Sequence, residues 1–427
     1  MKKFGAMMIA LVILLGLSLR VDVITAKADS FDVSAQAAIA IDSDTGKIFY
    51  TKDENTKRGI SSITKILTAY MTYQAVAQKK LKWDDEVVIS DYSYRLSQNM
   101  ELSGVPFIAG KKYTVKELLN AALVASANSA AVSLAEKIAG SEPNFVDMAK
   151  AQLKKWGIDQ PHLVNASGLN NEYLGEDIYP GSASDDENQL SAKDIAIIAR
   201  HLINDYPEVL EITKQTTASW DDTTMQTWNW MLPDMAAYRE GVDGLKTGTT
   251  ELAGQCFVGT IKEGNVRLIT VVLNAENTDT DAAARFTATN QLMDYVLDNW
   301  SRQIIVKKGV QVKGVKAMRV ADGKRKKVSL VASTDFKGWL RNDWTLTDYQ
   351  ATFTPINSKQ GLIAPITAEK TEAGSAVIKM KDDSLGYLDA KNTEVNQVIM
   401  VAKTDVAKEN FIRVAINHFI NWVNEKL

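Results

Sequence analysis

The stretch CFVGTIKEGNVRLITVVLNA, residues 256–275, decides the fold. Two apolar, β-branched runs flank Glu263-Gly264-Asn265, so they read as neighbouring antiparallel strands joined by a turn. Upstream, AAIAIDSDTGKIFY (37–50) has the same form around an Asp-Thr-Gly turn. Between these hairpins the period changes. SITKILTAYMTYQAVAQ places Ile63, Ile66, Leu67, Tyr70 and Met71 at helical spacing. TVKELLNAALVASANSAAVSLAEKIAG (114–140) predicts a helix opened by a Thr114/Glu117 capping box and closed by Gly140. SAKDIAIIARHLI (191–203) repeats the device with Ser191 and Asp194, and AARFTATNQLMDYVLDNW (283–300) returns to helix. Strands at both ends of a helical middle predict an α+β domain with a sheet built from chain-distant segments.

Past Trp300 the texture shifts to short β-type runs such as RQIIVKKGVQV and SAVIKM, broken by Gly and Asp turns. They predict a second, all-β domain. The last segment, 406–427, gathers Phe411, Ile412, Ala415, Ile416, Phe419, Trp422 and Val423 on one side of a helical wheel. Asn410, Arg413, Asn417, Asn421 and Asn424 fall on the other, so an amphipathic helix is expected. Such a helix either lies in a membrane interface or docks on its own β-domain, and the segment alone does not choose.

The 427 residues are too many for one small core, and 45% hydrophobic with 24% charged residues is ordinary globular composition. A net charge of −3 gives no electrostatic reason to expect a nucleic-acid partner. His162, His201 and His418 are scattered, with no metal-ligand spacing, so neither a metal nor a cofactor is expected. Cys256 is the single cysteine, which excludes an intramolecular disulfide. At the N-terminus Lys2 and Lys3, an apolar run and the Ala26–Ala28 site predict a signal peptide over 1–28 and an exported protein. Arg20 and Asp22 end that run at a length short for a membrane span.

RGISSITKIL (58–67) carries the first candidate chemistry. On a helix Ser62 and Lys65 are i, i+3 neighbours, and Ser61 stands four residues before Lys65, so geometry alone does not choose between the serines. A serine hydroxyl needs a neighbouring base to become a nucleophile, and a lysine of lowered pKa can serve. The bland alternative is a serine that caps a helix. VASANSAA then holds Ser126 and Asn128 within an apolar run, where they either line a site or back-bond to helix carbonyls. GLKTGTT holds Lys246, Thr247, Gly248 and Thr249, suited to a carboxylate or to a plain turn; Gly248 would allow close backbone approach.

In the order S-x-x-K, S-x-N, K-T-G, the three triplets resemble the serine-type D-Ala-D-Ala carboxypeptidases, the low-molecular-mass penicillin-binding proteins. HLVNASGL (162–169), SAKDIAIIA (191–199) and AGQCFVG (253–259) look like further segments of that family. The resemblance implies a penicillin-binding/β-lactamase-like catalytic domain over 29–301, a small all-β domain over 302–398 and a membrane-associating helix over 399–427. It implies Ser62 as nucleophile, Lys65 as its base, Ser126 as proton relay and Asn128 as a holder of the substrate amide. Lys246, Thr247 and Arg285 would bind the terminal carboxylate, and the N–H groups of Ser62 and Thr249 would form an oxyanion hole. Ser61 is left as a helix-start hydroxyl. The implied substrate is the peptidoglycan stem pentapeptide, with β-lactams as covalent inhibitors and the outer face of the cell membrane as the place of work. A class A-like β-lactamase or related hydrolase is the alternative. It needs an E-x-x-L-N glutamate, and of Glu172, Glu176 and Glu187 none stands in that pattern (ENQLS comes nearest).

Overall fold

Both predicted hairpins enter one sheet. In a computed structural model that describes residues 31–357, 361–389 and 394–426, β1 (Ala35–Asp42) and β2 (Ile48–Lys52) form the first hairpin. Strands β3 (Val242–Thr250), β4 (Gly254–Glu263) and β5 (Val266–Ala275) complete an antiparallel sheet of order β2-β1-β5-β4-β3. Chain-distant pairing is explicit in the register, where Ala37 lies opposite Leu273 and Ile41 opposite Ile269. The strands read as nearly continuous apolar runs because both faces are covered. Ile39, Ile41, Val258, Ile269 and Val271 join the helical core on one face. Phe257, one residue out of phase with Val258, turns to the other face and meets the Phe286 ring edge-on at 5.1 Å. Burial of each such side chain contributes about 1.5–3 kcal/mol.

The longer helices before Trp300 are α1 (Lys65–Ala77), α2 (Asp91–Ser97), α3 (Val115–Val124), α4 (Asn128–Ala139), α5 (Glu142–Lys155), α6 (Ala192–Asp205) and α7 (Ala284–Asn299). Both capping boxes form, Thr114 with Glu117 and Ser191 with Asp194. Gly140 ends α4 in the left-handed conformation.

One expectation is corrected. The continuous helix over 114–140 is two helices, broken at Ala125–Ala127, with Ser126 at φ +60°. No Gly or Pro announces the break, and a left-handed non-glycine residue costs about 1–2 kcal/mol. Tertiary hydrogen bonds hold it: Lys246 donates to the Ser126 hydroxyl at 3.0 Å, and the Asn128 backbone N–H donates to the Ser103 carbonyl at 3.2 Å.

Beyond Trp300 short strands form sheets of two, three and four strands. The largest orders Leu330–Ala332, Gln397–Ala402, Glu372–Met380 and Tyr349–Pro355, and Val320, Leu330, Ile378 and Met400 build a separate apolar core. Lys47, at the tip of the first hairpin, ties the two regions together. Its buried ammonium pairs with Asp383 at 2.9 Å, donates to the Gly386 carbonyl and lies over the Trp300 and Tyr387 rings.

The C-terminal helix α8 (Phe411–Lys426) leaves Phe411, Ile412, Ile416, Phe419, Ile420 and Trp422 exposed. His418 instead meets Asp322 of the β region at 2.8 Å. Among the described residues no helix is long and apolar enough to cross a membrane. The expected signal peptide, 1–28, lies outside the described residues.

Candidate active site

A single 3₁₀ turn, Ser61–Thr64, precedes α1 and sets the centre of the site. Side chains three residues apart eclipse in this geometry, which puts Lys65 Nζ 2.8 Å from Ser62 Oγ. Lys65 is fully buried and has two further acceptors, the Asn128 amide oxygen at 2.7 Å and the Ser167 carbonyl at 2.8 Å. The Asn128 amide is oriented by its Nδ2, which donates to the Ser103 carbonyl at 2.9 Å.

The structure separates the two serines. Ser62 is partly open to the cleft, whereas Ser61 is buried at φ +44° with no hydrogen-bond partner for its hydroxyl among the described residues. The expected capping role of Ser61 is therefore corrected, since no side chain caps this turn. Two glycines explain the tight packing. A Cβ on Gly248 would lie 2.2 Å from Ser61 Oγ, and one on Gly168 would lie 1.8 Å from the Ser61 carbonyl oxygen. The close approach that Gly248 permits is thus to the nucleophile turn, from strand β3.

Strand β3 is the sheet edge facing this turn. It buries Lys246, whose ammonium donates to Ser126 Oγ and to the Thr247 carbonyl, both at 3.0 Å. Ser62, Ser126, Thr247, Gly248, Thr249 and Arg285 line one cleft of about 300 Å³. Asn128 borders the adjoining space, which also reaches Ser62. Arg285, at the start of α7, donates to the Gly248 and Cys256 carbonyls and to Thr249 Oγ1 at 2.7 Å. All nine predicted site residues therefore converge, from the nucleophile turn, the α3–α4 break, an edge strand and α7.

Burial dominates the electrostatics of the three basic groups in this small space. Burial lowers Lys65 well below the usual amine range, and the neighbouring Lys246 lowers it further. Burial, then the Arg285 charge, brings Lys246 to about 7. Burial also lowers Arg285, to about 10. Among the described residues no group of His, Cys, Asp and Glu could hold a metal ion.

Residues 22–277, more than half of the chain, match the family described as D-alanyl-D-alanine carboxypeptidase. The chain belongs to that family. It is 28% identical over 397 residues to the D-alanyl-D-alanine carboxypeptidase DacF of Bacillus subtilis, covering 92% of this chain and 91% of that one. Among solved structures it is similar to a peptidoglycan synthesis regulatory factor, PBP3, of Streptococcus pneumoniae, with 44% identity and a TM-score of 0.73. That match covers 88% of this chain and 100% of the other. Penicillin-binding protein D2 of Listeria monocytogenes, solved with ampicillin bound, is 29% identical with a TM-score of 0.52, over 62% of this chain and 98% of its own. The penicillin-binding protein fold and the serine carboxypeptidase class expected from the three triplets stand. Membership implies a peptidoglycan substrate and β-lactam binding, and the β-lactamase alternative is not favoured.

Glu187, the nearest approach to a β-lactamase glutamate, borders the cleft but is already engaged. Its carboxylate accepts from Thr250 Oγ1 at 2.7 Å and Asn170 Nδ2 at 3.2 Å, holding a loop to the end of β3. Sequence reasoning missed several residues of the site. Trp228 and Trp230 line the cleft, and Ser103 and Ser167 contribute carbonyls. Asn188 is buried and ties Thr64 to the loop at Asn165 through its amide. The motif HLVNASGL marked that loop, but a backbone carbonyl has no side-chain signature.

Proposed function

We propose that this chain removes the terminal D-alanine from peptidoglycan stem pentapeptides through an ester on Ser62. The coordination of Lys65 carries the reading. An ammonium would give its three hydrogens to Ser62, Asn128 and Ser167. A neutral amine has two hydrogens and a lone pair. Two of its neighbours, the Asn128 amide oxygen and the Ser167 carbonyl, can only accept, so they take both hydrogens. The lone pair is then left for the Ser62 hydroxyl, and the depressed pKa of Lys65 favours that neutral state. As Ser62 Oγ attacks the carbonyl between the two D-alanines, its proton passes to Lys65. Ser126, held by Lys246, relays a proton to the departing amine, and water later hydrolyses the ester. Asn128 holds the substrate amide, Lys246, Thr247 and Arg285 receive the terminal carboxylate, and the N–H groups of Ser62 and Thr249 face the oxyanion. A β-lactam would acylate Ser62 in the same way, but its leaving amine stays tethered by the opened ring.

Intact-mass measurement after penicillin treatment tests the assignment. Ser62→Ala should gain no mass and Ser61→Ala should still label; the reverse pattern would move the nucleophile to Ser61.

The same proposal places the protein outside the cytoplasm, with the β region (302–398) raising the catalytic domain (29–301) above a membrane on which α8 lies. The exposed Phe411, Phe419 and Trp422 support this. The full mature chain should float with anionic lipid vesicles and a chain ending at residue 409 should not; equal recovery of both would refute the anchor.

A further inference from the structure

Glu142, the first residue of α5, is fully buried and plays no part in the chemistry above. Its Oε2 accepts the Tyr92 hydroxyl at 2.9 Å, and its Oε1 accepts the Ala166 backbone N–H at 2.8 Å. The charged groups acting on it, Glu136 and Asp177, are also acidic. Burial pushes its pKa up to about 7 against the pull of the two hydrogen bonds. A buried carboxyl with acidic neighbours costs stability, and what it supplies in return is an acceptor for two buried donors, the Tyr92 hydroxyl and the Ala166 N–H. The helix N-terminus offsets only part of that cost.

What the carboxyl holds is the back of the loop that faces the base. The Ala166 carbonyl accepts the Thr68 hydroxyl at 2.7 Å, and the next carbonyl, Ser167, accepts Lys65 Nζ. Thr68 and Lys65 stand one turn apart on α1, so two consecutive carbonyls grip that face of the helix. Asn165 Oδ1 closes the loop by accepting the Gly168 N–H at 2.6 Å. The Ala166 N–H is thus fixed from behind by Glu142, at the start of the two-residue path to the Ser167 carbonyl, while Asn165 Oδ1 holds the Gly168 N–H that shares that carbonyl's peptide plane.

We propose that Glu142 is a positioning residue for Lys65, acting through the Ala166 N–H to aim the Ser167 carbonyl and so leave the lysine lone pair directed at Ser62. This rests on the reading of Lys65 as the base. Loss of the carboxyl frees the loop, and the lone pair turns off the Ser62 hydroxyl. Acylation then slows without loss of substrate contacts, because Glu142 does not border the cleft.

The test uses the full mature chain and benzylpenicillin, with the acylation rate measured per labelled site and the labelled residue mapped. A merely structural role lowers the fraction of protein that labels, whereas a positioning role lowers the rate of the fraction that does. Glu142→Ala should label on Ser62 about tenfold or more slowly per site, and on a D-Ala-D-Ala peptide its kcat should fall with KM nearly unchanged. Glu142→Gln keeps an oxygen for the Ala166 N–H and should recover most of the rate. A wild-type rate per site in Glu142→Ala, or no recovery in Glu142→Gln, would overturn the proposal. If Glu142→Ala yields no labelled protein, Tyr92→Phe decides. It removes one hydroxyl from the same carboxyl and should slow labelling measurably, and an unchanged rate refutes the role. Wild-type labelling elsewhere than Ser62 would instead remove the parent reading, and this proposal with it.

Discussion

At the scale of single residues, Lys246 is held close enough to Lys65 for its charge to act on the base. Lys65 acts as a base only when neutral, so a lowered pKa extends its working range toward lower pH. The Lys246 charge is one of the two causes of that lowering. Lys246→Gln removes the charge, which raises the Lys65 pKa and protonates more of the base at a given pH. The acid limb of the acylation rate should therefore move to higher pH in Lys246→Gln, read from penicillin labelling rates across a pH series. An unmoved limb would show that burial alone tunes the base. A serine–lysine pair was legible in the sequence at helical spacing, but the choice of Ser62 over Ser61 came only with the resemblance that Ser126, Asn128 and Lys246 carry far downstream. The roles of Ser61, the Ser167 carbonyl and Glu142 were not legible, because they depend on Gly168, Gly248 and Ala166 meeting them across the fold.

At the scale of elements, the break between α3 and α4 does more for the site than either helix. Continued as a helix, 114–140 would pair the Ser126 backbone with its neighbours and point its hydroxyl along the helix surface. The left-handed turn presents Ser126 to Lys246 and starts α4 with Asn128 beside Lys65. Ser126→Gly separates the backbone from the hydroxyl, since glycine accepts φ +60° without strain. Unfolding by urea should change by no more than about 1 kcal/mol, while turnover of a D-Ala-D-Ala peptide falls ~10²-fold for loss of the relay. A large loss of stability with turnover intact would reverse that assignment. The capping boxes and strands were readable because local hydrogen bonds and alternation write them. The break was not, because alanine-rich sequence supports a helix until distant groups outcompete it.

At the scale of the molecule, the catalytic sheet and the β region share one buried ion pair, Lys47–Asp383, packed against Trp300. Burial lowers the Lys47 pKa, and Asp383 opposes that shift. Removing one partner leaves a buried charge unpaired, so Lys47→Ala should destabilise by about 3–5 kcal/mol, whereas Lys47→Met, which keeps packing, should destabilise less when made together with Asp383→Asn. Chemical denaturation of the wild type and these two variants measures it, and a loss in the double variant as large as in Lys47→Ala would refute the cost of the unpaired charge. Nothing in the first hairpin or the 383–387 turn announced this pairing, which joins positions 336 residues apart.

The sequence by itself determined the periods of the elements, the α+β class, the caps and the three triplets that name the family. These are local, because hydrophobic alternation, capping and i, i+3 spacing are decided within a few residues. Only the tertiary structure decided which serine is open to the cleft, where the 114–140 helix breaks and which acceptors leave Lys65 a free lone pair. Those depend on contacts between segments that the chain brings together from far apart, through backbone carbonyls and glycine approaches that side-chain identity does not encode.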